Sequence, residues 1–138
     1  MVMEKPIVTA VDRMRLEGMV RSLRSVGDPF GSHLRELTHV LERAEIVSPT
    51  EVGPGVVTMN SRVRASDLET ERPETFTLVY HGESGMFDSR LSVLTPMGVA
   101  VLGARVGDVI EFPRRRGIRR LRIEEMLYQP EAAGDFEL

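Results

Sequence analysis

The chain is expected to fold as α+β: an N-terminal antiparallel helical hairpin, then a small antiparallel sheet covered by one short helix. Three observations carry this expectation. Up to about residue 44, apolar residues recur every three or four positions, the spacing of one helix face. After residue 55 the period becomes two, the spacing of a half-buried strand. Beyond residue 50 only the segment 96–102 carries a strong helix signal.

The first helix is expected from Thr9 to about Arg24. Thr9 can cap the free N–H groups of the first turn. Asp12, three residues on, makes a variant capping box, with an acid where Glu or Gln is usual. Leu16, Met19, Val20 and Leu23 then recur at helical spacing. Gly27-Asp28-Pro29-Phe30-Gly31 reads as the hairpin tip by composition. Ser32 is placed to cap a second helix, in which Leu34, Leu37, Leu41 and Ala44 form an a/d seam. Two helices with a short connection imply a short antiparallel coiled coil, residues 1–50. Ser48-Pro49-Thr50 and Gly53-Pro54-Gly55 end it, leaving 51–138 as a second domain.

In that second part, Val57, Met59, Val63 and Ala65 share one parity, with Ser61 the polar exception. Further strands are expected at 75–80, 90–94, 108–112 and 118–128, the last with Leu121, Ile123 and Leu127 on one face. Thr95 is the expected N-cap of the short helix, Pro96 its first residue and Gly103 the residue that ends it. Gly107-Asp108 turns the chain into the next strand.

Composition removes several function classes. There is no Cys, hence no disulfide, thiol nucleophile or thiolate metal site. The net charge of −3 argues against binding a nucleic-acid backbone with the whole surface. Aromatics are 5% with no Trp, a poor supply of stacking platforms. No run approaches the roughly 20 apolar residues of a membrane span, and Met3-Glu4-Lys5-Pro6 interrupts any secretory leader. A soluble, cytoplasmic protein is expected.

Individual candidates are mostly bland. His33, His39 and His81 lack metal-site spacing and read as surface or turn histidines. Glu124 and Glu125 would point to opposite faces of a strand. Ser84 lacks the spacing of a nucleophile elbow. Arg114, Arg115, Arg116, Arg119 and Arg120 form the strongest charge feature. It reads first as a solvated hairpin tip guarding a sheet edge, and second as a patch that steers toward an acidic partner.

Leu94-Thr95-Pro96-Met97, with the Gly103 stop and the Gly107-Asp108 turn, resembles the C-terminal domain of the Gre transcript-cleavage factors. The order of hairpin then sheet matches that family too. Val56-Val57-Thr58-Met59-Asn60-Ser61-Arg62-Val63 and Tyr128-Gln129-Pro130-Glu131-Ala132-Ala133-Gly134-Asp135-Phe136 are similar to its shorter branch, the regulators of nucleoside diphosphate kinase. The resemblance implies an FKBP-like C-terminal domain and binding to bacterial RNA polymerase near its secondary channel. It implies that Leu94, Thr95, Pro96 and Met97 make much of the contact. The chain departs from the family with Thr95 in place of Ser and Leu94 in place of Asp or Asn.

Gre factors carry closely spaced acids on the hairpin tip that hold a catalytic Mg²⁺ in the polymerase. Mg²⁺ prefers carboxylate oxygens, and two-metal chemistry needs the ions about 4 Å apart. Here Asp28, beside Pro29 and Phe30, is the lone acid of the tip. A first helix of about 16 residues reaches only ~24 Å. The expectation is therefore a non-enzymatic transcription regulator that competes with Gre factors without stimulating cleavage. It would need no metal or cofactor, contact no specific nucleic-acid sequence or membrane, and act as a monomer. The alternatives are an FKBP-type peptidyl-prolyl isomerase, disfavoured by scarce aromatics, and an interaction module that never meets polymerase.

Overall fold

Two strands too short to show any period tie the ends of the helical hairpin together. In the computed structural model, which describes residues 5–27, 31–83 and 89–138, β1 (Ile7–Thr9) leads into α1 (Ala10–Ser25). The chain returns through α2 (Gly31–Arg43) into β2 (Glu45–Val47). β1 and β2 pair in parallel, Ile7 opposite Glu45 and Thr9 opposite Val47. The hairpin is therefore closed at its base by backbone hydrogen bonds. Its tip residues Asp28, Pro29 and Phe30 lie outside the described residues, as does Ser84.

Thr9 caps α1 as expected, its hydroxyl accepting the Asp12 N–H at 3.0 Å. Asp12 does not return the bond, so the capping box is only half built. Ser32 is the second residue of α2 rather than its cap. Leu34, Leu37 and Leu41 are buried, and Val40 joins them. They belong to one cluster with Leu16 and Val20 of α1 and with residues of the sheet. The seam is thus spent on a core shared with the sheet.

The sheet contains β3 (Arg62–Asp67), β4 (Pro73–Val79), β5 (Arg90–Ser92), β6 (Val109–Pro113) and β7 (Ile118–Tyr128). Their spatial order is β5-β4-β3-β7-β6. It is not wholly antiparallel: β5 runs parallel to β4, Thr77 opposite Arg90. The connection between them is too long for a tight hairpin, which frees β5 from the antiparallel direction.

The first expected strand is shorter than its alternation suggests. Val57, Thr58, Met59 and Ser61 are all buried, but Asn60 has φ 66°. That left-handed residue breaks the pleat, so regular pairing begins only at Arg62. Along β7, Leu121 and Ile123 are buried while Leu127 is 43% exposed. The pairing with β3 shifts register between Arg62 and Val63 and between Arg64 and Ala65. Each shift inserts an extra residue and changes which side chains face the core. Met126 takes the place expected of Leu127 and packs against the core. Glu124 and Glu125 are both exposed, and Glu125 pairs with Arg64 at 3.0 Å.

Two further helices complete the chain. α3 (Pro96–Val101) follows its expected start, with Gly103 at φ 81° just beyond it. α4 (Pro130–Ala133), not anticipated, is capped by Gln129 and stopped by Gly134 at φ 81°. Glycine is required at two places around α3. A Cβ on Gly98 would lie 2.1 Å from the Ser92 carbonyl oxygen. One on Gly103 would lie 2.6 Å from Pro6 Cβ. These approaches let α3 rest on the end of β5 and let β1 pass beside it.

Candidate docking surface and its supports

The start of α3 is built by a chain of local hydrogen bonds. The Thr95 hydroxyl accepts the Gly98 N–H at 3.0 Å and donates to the Ser92 carbonyl at 2.8 Å. The Ser92 hydroxyl accepts the Leu94 N–H at 3.1 Å. Thr95 thus spends its polar group on the fold, and Leu94 is buried with 4% exposure. Pro96 and Met97 are half-buried: Met97 packs against the core, Pro96 lines a groove beside β6, and what each leaves exposed is apolar. Of the four candidate contact residues, Leu94 and Thr95 build the corner, and Pro96 and Met97 keep partial exposure.

His33 was expected at the surface, but it is half-buried, and its Nδ1 lies 2.7 Å from the Leu94 carbonyl oxygen. A carbonyl can only accept, so Nδ1 carries the hydrogen. α2 is thereby pinned to the residue just before the α3 cap. No local sequence signal links positions 61 apart. His39 is exposed on the same helix.

The arginine segment divides in two. Arg119 sits between two acids: Nε is 2.9 Å from Asp67 Oδ2 and Nη2 is 2.6 Å from Glu74 Oε2. Asp67 also accepts the N–H groups of Glu69 at 2.8 Å and Thr70 at 3.1 Å. The Arg119 hydrogen bond, then these backbone donors, hold the Asp67 carboxyl down to about 2. Arg120 pairs with Glu111 at 2.9 Å, and Arg114 with Glu69 at 3.2 Å. These three arginines staple strands and turns. Arg115 and Arg116 are exposed at the β6–β7 turn, and among the described residues neither has an ion-pair partner.

A buried polar junction joins the hairpin to the body. Asp12, 4% exposed, accepts the Met59 N–H at 3.0 Å, and the Tyr80 hydroxyl approaches its other oxygen at 3.4 Å. Burial raises its carboxyl to about 6, against the Met59 N–H, which favours the charged form. Burial, then the Asp12 charge, pushes the Tyr80 hydroxyl well above the usual phenol range. Nearby, the Thr58 hydroxyl donates to Glu131 at 2.7 Å. The Gln129 amide donates to the carbonyls of Gly53 at 2.8 Å and Val56 at 2.7 Å. Arg15 of α1 bonds the Leu138 carbonyl. The Gln-Pro-Glu segment is therefore a clasp over the loop that leads into β3.

Among the described residues no three His, Asp or Glu side chains converge as metal ligands, and no helix is long and apolar enough to cross a membrane.

Comparison with known proteins fits this architecture. The chain is 38% identical over 133 residues to the "Regulator of nucleoside diphosphate kinase" of Escherichia coli K12, covering 96% of each protein. It is 31% identical over 96 residues to the "Transcription elongation factor GreA" of Thermotoga neapolitana, covering 70% of this chain and 61% of that factor. A solved GreA/GreB elongation factor from Nitrosomonas europaea superposes with TM-score 0.73 at 36% identity, over 91% of this chain and all of the other. The family model "Transcription elongation factor, GreA/GreB, C-term" matches residues 42–128, from the end of α2 to the end of β7. The chain belongs to the GreA/GreB family.

Proposed function

We propose that this protein is a non-enzymatic regulator that binds bacterial RNA polymerase near its secondary channel and occupies the dock used by Gre factors without stimulating transcript cleavage. The observation that carries the reading is the full-length likeness to a nucleoside diphosphate kinase regulator combined with a short arm. α1 has 16 residues and α2 has 13, so the arm is at most ~24 Å long at 1.5 Å per residue, and the start of α2 is held against the body by the His33–Leu94 bond. Its tip sequence supplies one acid, Asp28, too few oxygen ligands to carry Mg²⁺ to a second metal position.

In this reading the FKBP-like body, residues 51–138, docks and the hairpin, residues 1–50, covers the entrance. Pro96 and Met97 form the apolar contact, with Met adapting to the partner surface. Thr95 and Leu94 hold the corner in shape. Arg115 and Arg116 add long-range attraction to an acidic surface. Regulation of nucleoside diphosphate kinase would then follow from occupancy of polymerase, whose outcome depends on concentration over Kd for each competitor.

The test is capture of purified bacterial RNA polymerase by the tagged chain, with GreA added as competitor. Capture that GreA displaces supports the reading. No capture at micromolar concentrations of both proteins rejects it.

A further inference from the structure

A groove of about 590 Å³ runs between α2, α3 and β6. Val40, Val99 and Phe112 supply apolar lining. β6 is the last strand of its sheet, with β7 on one side only. The ladder fixes which of its backbone groups are used. Asp108 accepts the Ile123 N–H at 2.9 Å, and Arg114 donates to the Gly117 carbonyl at 3.1 Å. Alternation between these two bonds aims Ile110 and Phe112 at β7 and turns the N–H and C=O of Val109 and Glu111 outward. Among the described residues, no backbone group meets them.

Natural sheet edges are usually blocked by proline, charge or a covering element. Here Pro113 closes only the end of the strand. The Glu111 side chain is drawn back to Arg120 on β7 at 2.9 Å. The open stretch adjoins the groove.

The groove also has polarity. Arg43, in the last turn of α2, lines it, as does Glu36. Among the described residues neither has an ion-pair partner. Seven helical residues separate them by ~10 Å along the axis, the length of about three residues of extended chain. The Arg43 end lies where β1 passes, since Glu45 donates to the Pro6 carbonyl at 2.8 Å and Ile7 to that of Gly103 at 3.2 Å.

We infer that this groove binds an extended peptide segment of a partner protein as a sixth strand on β6. Main-chain bonds to Val109 and Glu111 give affinity, and apolar side chains enter between α2 and α3. An acidic side chain of the peptide meets Arg43 and a basic one faces Glu36. Pro96 lines this groove while Met97 does not, so the peptide site adjoins the polymerase dock proposed above at the start of α3.

The experiment selects linear dodecapeptides from a phage-displayed library on the intact chain and synthesises the enriched sequence. Amide hydrogen exchange is then measured with and without it. The expected peptide alternates apolar residues with at least one acid and slows exchange at Val109 and Glu111. Arg43→Glu, checked for an unchanged circular dichroism spectrum, weakens it about tenfold, the loss of one charge-assisted contact. Arg116→Glu leaves it unchanged. Failure to enrich any peptide, or binding that leaves the Val109 and Glu111 amides exchanging as before, overturns the proposal. Protection of those amides by a second copy at high protein concentration, with no peptide present, also overturns it. These readouts involve no polymerase, so the two proposals fail separately.

Discussion

The carboxylate of Asp12, in the first turn of α1, accepts the backbone N–H of Met59 at 3.0 Å. This bond fastens the hairpin to the loop that feeds the sheet, across 47 residues of chain. Both partners are buried, so the bond is shielded from water, and losing the acceptor leaves a buried N–H unpaired. Asp12→Ala is expected to cost about 1–3 kcal/mol, measured by urea unfolding. Asp12→Asn keeps an acceptor oxygen and should cost less.

The same group gives a pH signature. Its carboxyl is raised from 3.8 to about 6 in the folded chain, so between these values the folded state binds more protons than the unfolded state. Folding then gains stability from this group as pH falls from about 6 to 4, and loses it as pH rises through 6. The stability of wild type relative to Asp12→Asn should therefore improve on acidification from pH 7 to 4.5, by an amount on the order of 2 kcal/mol. A constant difference across that range would show that Asp12 is not desolvated.

Asp67 moves in the opposite sense. Its carboxyl is held down to about 2 by Arg119 and two backbone N–H groups. It contributes stability above pH 4 that is lost as pH falls toward 2. In the Asp67→Asn variant, the acid limb of unfolding between pH 4 and 2 should be flatter than in wild type.

The arginines should separate by role. Arg119→Ala breaks a bridge to two acids and is expected to lower stability by about 1 kcal/mol, discounted for its partial exposure. Arg115→Ala and Arg116→Ala should be neutral in urea unfolding within about 0.5 kcal/mol. If polymerase binding is steered electrostatically, these two should instead slow association, with the effect fading at high salt.

Around α3, sterics and surface make contrasting predictions. Gly98→Ala would force a Cβ to 2.1 Å from the Ser92 oxygen and is expected to cost about 3 kcal/mol or more. Pro96→Ala alters a half-buried surface and should leave the unfolding free energy in urea within about 1 kcal/mol of wild type, whereas Met97, which also packs against the core, should cost about 1–3 kcal/mol as Met97→Asp. Both are also expected to reduce polymerase capture, about tenfold or more for Met97→Asp by burying an unpaired charge.

What could be read from the chain in advance was local chemistry. Thr95, Pro96 and Gly103 announce a helix start and stop because caps and φ preferences act over a few residues. The 16 residues of α1 show because four apolar residues, Leu16, Met19, Val20 and Leu23, fall on one helix face. β1 and β2 escape because three residues cannot display a period. Leu127 departs from the face its parity predicts because a bulge shifts parity without leaving a mark in composition. The Asp12–Met59 and His33–Leu94 bonds were invisible for a different reason: each links residues the sequence keeps far apart. Asp12 did leave a hint, since an acid shorter than the usual capping-box Glu is free to serve another donor.

The most direct measurement is transcript cleavage in a stalled elongation complex of purified bacterial RNA polymerase, with and without GreA. The expected result is no shortened RNA with this protein alone, and concentration-dependent suppression of the cleavage that GreA stimulates. Shortened RNA on adding this protein by itself, or GreA cleavage untouched by a saturating excess, would contradict a body that occupies the dock while its short arm delivers no metal ion.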